Sequence, residues 1–350
     1  MVKLKNKFEG SIKRIISLQK KDGSIPWTKD GAFDAWNHLE CVMALNIFRY
    51  TKQVDLGFNY LRQNQLDDGS WLGELGSTQD IDKKNGTFVK KEKNDKTYYR
   101  DTNFAAYIAT ATWHDFLINN SIDRLLNNWE MIERGIDFVI SNQMDNGSIR
   151  WAAKSSEAPN DDSLLTGCCS IYKSLICAIN CASRLNMKKP LWESALWKLE
   201  DAIKNKPYSF DKTWESKKRF SMDWYYPVLC GVIKKKDAEK RIKSEWKNFV
   251  LSQEGCLCVN DQPWITIAET AELAITLIKI KKKDTAKDLL LWIDDCRDDD
   301  GAYWMGKQVV ENIFWPMEKP GWTSAAVILA HDALNNISKG STIFLNDKLI

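Results

Sequence analysis

Histidine is scarce in this chain, with three copies in 350 residues, and no two of its nine cysteines are spaced Cys-x-x-Cys. Both shortages argue against a tetrahedral zinc site, which draws mainly on those two residue types. No cofactor is expected. Long apolar runs are also missing. No stretch approaches the ~20 consecutive apolar residues that span a bilayer, and the opening MVKLKNKFEGSIKRII has no apolar signal core. A one-sided charge is absent too. Fifty basic residues face 47 acidic ones, so the clustered basic field that nucleic acid demands is not there. The runs Lys234-Lys235-Lys236 and Lys281-Lys282-Lys283 follow helical segments and fit solvated helix C-termini. Most of the cysteines, such as Cys168, Cys169, Cys177, Cys181 and Cys230, sit in apolar helical context. That suits reduced, buried thiols and a cytoplasmic protein. No segment shows sustained β alternation.

Tryptophan is abundant, with 16 copies, and several of them punctuate a repeat. An amphipathic helix ends near Gln, an Asp-Gly or Asn-Gly turn follows, then a Trp, then a new helix. Copies read LQKKDGSIPW (18–27), LRQNQLDDGSW (61–71), SNQMDNGSIRW (141–151) and WIDDCRDDDGAYW (292–304). Weaker ones are PYSFDKTW (207–214) and LSQEGCLCVNDQPW (251–264). Gly supplies the positive φ that stops each helix.

Between the joints, two kinds of helix alternate. The first of each pair is charged and amphipathic, at about 8–20, 55–65, 122–144, 190–204, 237–252 and 284–294. The second is apolar nearly all round, at about 33–51, 103–117, 163–184, 219–235, 265–281 and 321–337. A helix apolar on every side must be buried on more than one, and repeated pairs of this kind must stack to bury it. Six such hairpins predict an all-α fold closed into an (α/α)6 barrel, the apolar helices inside. The chain reads as one domain with a polar insertion at about 72–99.

The repeat Gln-x-x-Asp-Gly-x-Trp resembles that of squalene cyclases and protein prenyltransferases, the terpenoid-cyclase α/α-toroid superfamily. The resemblance covers essentially the whole chain. It implies a scaffold role for Gln19, Gln63, Gln143, Trp27, Trp71 and Trp151, and acid-catalysed processing of an isoprenoid or prenyl-type substrate. Departures are plain. No Asp-x-Asp-Asp acid motif is present, since Asp80-Ile81-Asp82-Lys83 breaks it at the last position. Asp294-x-Cys296 with His331 matches the prenyltransferase zinc set in letters only, and falls at the end of an outer helix. A second resemblance competes. FDAWNHLECVMAL and DTNFAAYIATATWHDFL look like inner helices of six-hairpin glycosidases, which imply a carboxylate pair acting on an oligosaccharide. A non-catalytic toroid that binds a lipid-linked or glycan ligand is the third reading.

In a barrel of parallel inner helices, all six N-termini open at one mouth and favour electron-rich groups there. The inner starts are polar and aromatic. The acid candidates are Asp34, Glu40, Asp101 and Asp162, with His38 as proton carrier. Asp101 and Asp162 also suit plain helix N-caps, and Asp34 can pair with His38 at i,i+4. Expected substrate contacts are Trp36, Arg100, Asn103, Asp161, Asp223, Trp224, Tyr225, Trp264, Glu318 and Trp322. Trp faces suit both the apolar faces of sugar rings and a carbocation, so they do not separate the readings. Glu157, Asn160, Glu269 and Glu272 also lie at inner starts. His114 and His331, near the far ends of their helices, read as structural.

Overall fold

The structure is a computed structural model that describes residues 2–73, 79–81, 88–90, 99–153 and 161–350. Most of the expected polar insertion, along with Asp82, Lys83, Glu157 and Asn160, lies outside the described residues.

A short helix α1 (Val2–Lys7) precedes six helical hairpins. They are α2 (Glu9–Leu18) with α3 (Ala35–Ile47), α4 (Thr51–Gln63) with α5 (Thr102–Asn119), α6 (Ile122–Ser141) with α7 (Leu165–Arg184), α8 (Pro190–Asn205) with α9 (Ser221–Leu229), α10 (Lys235–Phe249) with α11 (Ile267–Lys279), and α12 (Lys283–Trp292) with α13 (Gly321–Asn335). The second helices pack in cyclic order α3, α5, α7, α9, α11, α13, and α13 returns to α3. The ring is therefore closed, an all-α (α/α)6 toroid with the apolar helices as inner staves. One buried cluster runs from Phe8 to Phe344.

The joints close the ring from outside. Gln19 donates to Gly23 O of its own turn and to Gln53 O on α4, at 3.2 and 2.9 Å. Gln143 ties Gly147 O to Ala195 O on α8, both at 2.9 Å. In the second joint Gln65 does this work, bonding Gly69 O and Met131 O on α6 at 2.8 and 3.0 Å. Gln63, the expected brace, ends α4 exposed. The turn that follows each Gln leans on the next outer helix so closely that only glycine fits. Gly23 has φ +98°, and a Cβ there would lie 2.2 Å from Leu56 O. The sixth turn meets the first outer helix, with Ser11 Oγ donating to Gly301 O at 2.7 Å. Gly23→Ala should therefore cost about 2–4 kcal/mol in urea unfolding, from positive φ plus a backbone clash.

Two expectations about helices need correction. The fourth stave was expected over 219–235 but stops at Leu229. Gly231 then turns at φ +81° directly against the Asp347 carboxylate, where any Cβ would sit 2.2 Å away. The C-terminal segment enters the barrel's far end there. Lys173 of α7 and Lys279 of α11 both bond Asp347, at 3.2 and 2.8 Å, and also take up carbonyls of Asn346 and Phe344. The second correction concerns apolar runs. Helix α7 is by length and composition apolar enough to cross a membrane, but 83% of that stretch is buried among the other staves.

Candidate functional site

Helical phase decides what faces the barrel axis. The N-caps of the six staves are Asp34, Asp101, Leu164, Phe220, Thr266 and Pro320. Six residues beyond each stand Glu40, Tyr107, Ser170, Tyr226, Glu272 and Ala326, and these six line one enclosed pit on the axis, with Leu229, Cys230, Ile275, Leu329 and Phe344 below them. Residues two and three beyond each cap lie one turn higher on the same face. They form the wall of the mouth. On staves otherwise buried, solvent reaches Trp36, Asn37, Phe104, Thr166, Met222, Glu269, Glu272 and Trp322 at this end.

The floor of the mouth is acidic and phenolic. Glu40 accepts from Trp36 Nε1 at 3.0 Å and from the Tyr107 hydroxyl at 3.3 Å. Glu272 accepts from Tyr225 and Tyr226 at 2.5 and 2.7 Å. Burial raises Glu40 well above the usual carboxylate range, and the nearby Glu272 charge adds to it. Burial pushes Glu272 up to about 7, against its two phenol donors. Two acids in one enclosed pit cannot both ionise cheaply.

Higher up, Asp101 caps α5 by accepting from Phe104 N–H at 3.1 Å. The residue is partly exposed, but burial of its carboxyl pushes it up to about 7. Glu269 stands on α11, with the half-buried Cys258 thiol hydrogen-bonded to it. In a six-membered ring α5 and α11 are opposite staves, so Asp101 and Glu269 flank the mouth from either side. Asp223 on α9 accepts from Thr166 at 3.0 Å, and burial pushes it up to about 6. Asn103 Oδ1 and Trp322 Nε1 are buried with no hydrogen-bond partner among the described residues. A polyhydroxylated ligand could satisfy both. Trp36 and Trp322 offer flat apolar faces on adjacent staves.

Several expected site residues lie elsewhere. His38 is fully buried and turned to the outer layer. Its Nδ1 accepts from Ile25 N–H at 3.1 Å, and Nε2 lies 3.1 Å from Gly57 O on α4. Burial drops it to about 4, so it is a neutral brace and no proton carrier. Asp34 is 1% exposed and gripped by Trp27 Nε1, Asn37 N–H and Asn37 Nδ2 at 2.5–2.8 Å, which makes it a clasp on α3. Asp162 is raised by burial but lowered further by backbone N–H groups, Lys212 and Thr213 among them, and falls below its usual range. It ties the 207–214 joint down as an ionised anchor. Asp161 pairs with Arg150 at 2.7 Å, and Arg100 with Asp68 at 3.3 Å. Trp224 points outward, stacked on Phe249 and donating to Arg241 O at 2.8 Å. Tyr225 supports Glu272 from behind. Trp264 and Glu318 belong to a three-stranded rim sheet and its exit, Trp264–Thr266, Gly306–Gln308 and Ile313–Phe314, with Glu318 O accepting from Met305 N–H at 2.9 Å. Glu269 and Glu272 are legible in the sequence only as acids at an inner start, with no role, and Tyr107 and Tyr226 carry no such mark. For Glu272, Tyr107 and Tyr226 the constant offset of six from each stave's start was the available signal, whereas Glu269 stands three beyond Thr266.

The His38 assignment has a pH signature. An unfolded histidine takes a proton near 6.5, the buried one only near 4. Its contribution is present above pH ~6.5 and drains away as pH falls towards 4. His38→Gln should therefore flatten the pH dependence of unfolding free energy by about 2 kcal/mol between pH 7 and 5, while per-molecule activity at pH 7 holds.

No protein-family model matches the chain. Over 330 residues it is 37% identical to an MMP endo-(1,4)-3-O-methyl-α-D-mannosidase from Mycolicibacterium hassiacum, covering 94% of this chain and 86% of that one. The chain belongs to this endo-mannosidase family. Membership overturns the terpenoid-cyclase and prenyltransferase resemblance and with it the isoprenoid function. The Gln–turn–Trp repeat marks how hairpins are braced in the ring, and other six-hairpin rings face the same demand. An enzyme of glycosidase type acting on glycan is what the endo-mannosidase family supports. Solved structures share the fold at low identity. A glycosidase variant in complex with glucose aligns at TM-score 0.70 and 12% identity over 95% of this chain and 97% of its own. A sugar epimerase from a ruminal bacterium aligns at 0.65 and 9% over 94% and 98%. A D-mannose isomerase aligns at 0.60 and 14% over 93% and 96%.

Proposed function

We propose that this endo-mannosidase family member hydrolyses internal (1→4) linkages of a 3-O-methylated α-mannoside chain, with Asp101 as general acid and Glu269 as general base. The observation that supports it is the pairing of Asp101, a partly exposed residue whose carboxyl burial pushes up to about 7, with a second partly exposed acid, Glu269, on the opposite stave. The glycosidic oxygen lies near Asp101, which gives up its proton as the bond from C1 to that oxygen breaks. A water whose proton passes to Glu269 forms the new bond at C1. The products are a shortened chain with a free hydroxyl and one with a new reducing end. Burial and the Asp34 carboxylate keep the proton on Asp101, and in the pit beneath the phenol partners of Glu40 and Glu272 hold those two acids still. Trp36 and Trp322 take the apolar faces of the sugar rings, and Asn103 and Trp322 Nε1 meet sugar hydroxyls. The test is incubation of the purified protein with a (1→4)-linked 3-O-methyl-α-mannose oligosaccharide, followed by mass spectrometry. Mid-chain cleavage products are expected. An oligosaccharide left intact at all pH values from 5 to 8 would overturn the reading.

A further inference from the structure

The rim hairpin between α12 and α13 has a surface unlike the rest of the mouth. Within 310–317, Val310, Ile313 and Met317 are 72%, 51% and 79% exposed. Their segment is fastened to the entrance at both ends. Gly306–Gln308 pairs with Trp264–Thr266, which leads straight into α11 and Glu269, and the chain leaving Met317 enters α13 at Gly321, next to Trp322. The hairpin is stiffened by Phe314 stacked on Trp304, ring centroids 5.4 Å apart and 12° from parallel, and by Trp264 Nε1 donating to Trp315 O at 2.6 Å. Three large apolar side chains held out to water on a rigid rim forgo burial that they would gain against an apolar ligand. A sugar hydroxyl is no such ligand, because it needs a donor or acceptor. A methyl ether is one, since it replaces the hydroxyl hydrogen with an apolar cap. We infer that the 306–317 hairpin is a subsite that reads the O-methyl groups of the glycan, through Val310, Ile313 and Met317. The inference rests on the proposed glycan hydrolysis. Asn103 and Trp322 Nε1 would serve the unmethylated hydroxyls deeper in the mouth, so the site would divide polar from methylated recognition by depth.

The experiment compares kcat/KM for two (1→4)-α-mannose oligosaccharides of equal length, one 3-O-methylated and one bare. It uses the full-length protein and the triple variant Val310→Ser, Ile313→Thr, Met317→Gln. Each buried methyl contributes about 4-fold, so with two methyls engaged the variant should lose about 15-fold on the methylated chain. Its rate on the bare chain should stay within about 2-fold of wild type. Met317→Gln alone, at the most exposed of the three positions, should lose about 4-fold if the triple variant unfolds. An unchanged ratio between the two substrates, or an equal fall on both, would overturn the subsite. So would a patch that instead mediates self-association, seen as a dimer in sedimentation that the variant dissolves while the ratio stays fixed. If the wild type cleaves neither oligosaccharide, the hydrolase reading itself fails. If it cleaves both equally well, only the subsite does.

Discussion

Asp101→Asn should lower kcat by roughly 10²- to 10⁴-fold, the usual share of a general acid, with the protein still folded. Asparagine is isosteric and is itself a good N-cap, so its amide oxygen can keep accepting from Phe104 N–H and α5 should keep its start. What it cannot do is release a proton. The pH profile makes the assignment specific. Burial pushes Asp101 up to about 7, so the acid is loaded below that pH and emptied above it. In the wild type, kcat/KM should decline tenfold per pH unit above about 7. In the variant, the residual rate should lose that basic limb. A variant with normal turnover, or a residual profile that still breaks near 7, would transfer the acid role to Glu272, which burial also pushes up to about 7.

Glu269→Gln should cost a comparable 10²- to 10⁴-fold in kcat with KM little changed, because the side chain acts on water rather than on the bound sugar. The more telling variant is Glu269→Ala, which opens space where the activated water would stand. Azide at high concentration should restore part of its turnover and yield a glycosyl azide, since a small anion needs no base. Neither variant should alter thermal stability by more than about 1 kcal/mol, as expected at a solvent-reached position. Full activity in Glu269→Gln would remove this residue from the mechanism and leave the floor pair Glu40 and Glu272 as the carboxylates to be tested.

The terpenoid-cyclase resemblance rests on a real physical feature. Gln19, Gln65 and Gln143 each bridge their own turn to the next outer helix, and the glycine beside each one permits that approach. Such a brace follows from packing hairpins in a ring, so the motif reports architecture and says little about chemistry. The glycosidase-like look of FDAWNHLECVMAL and DTNFAAYIATATWHDFL lay nearer the mark.

By itself, the sequence determined the alternation of charged and wholly apolar helices, and therefore the count of six hairpins and the closed barrel. It also determined the start of α5, where Asp101 does cap the helix, while the cap expected of Asp162 is not made, because α7 starts from Leu164. Which polar residues near those starts face the axis was decided by tertiary structure alone. His38 and Glu40 are two positions apart, about 200° round the helix, so one must brace the outer layer when the other faces the pit. Trp224 and Tyr226 divide in the same way. An apolar helix buried on all sides carries no amphipathic phase to say which of two such residues looks inward. Only packing against both neighbours and the outer layer fixes that rotation. The same holds across the ring: Asp101 and Glu269 are separated by nearly half the sequence, and closure of α13 onto α3 is what sets them on opposite sides of one mouth.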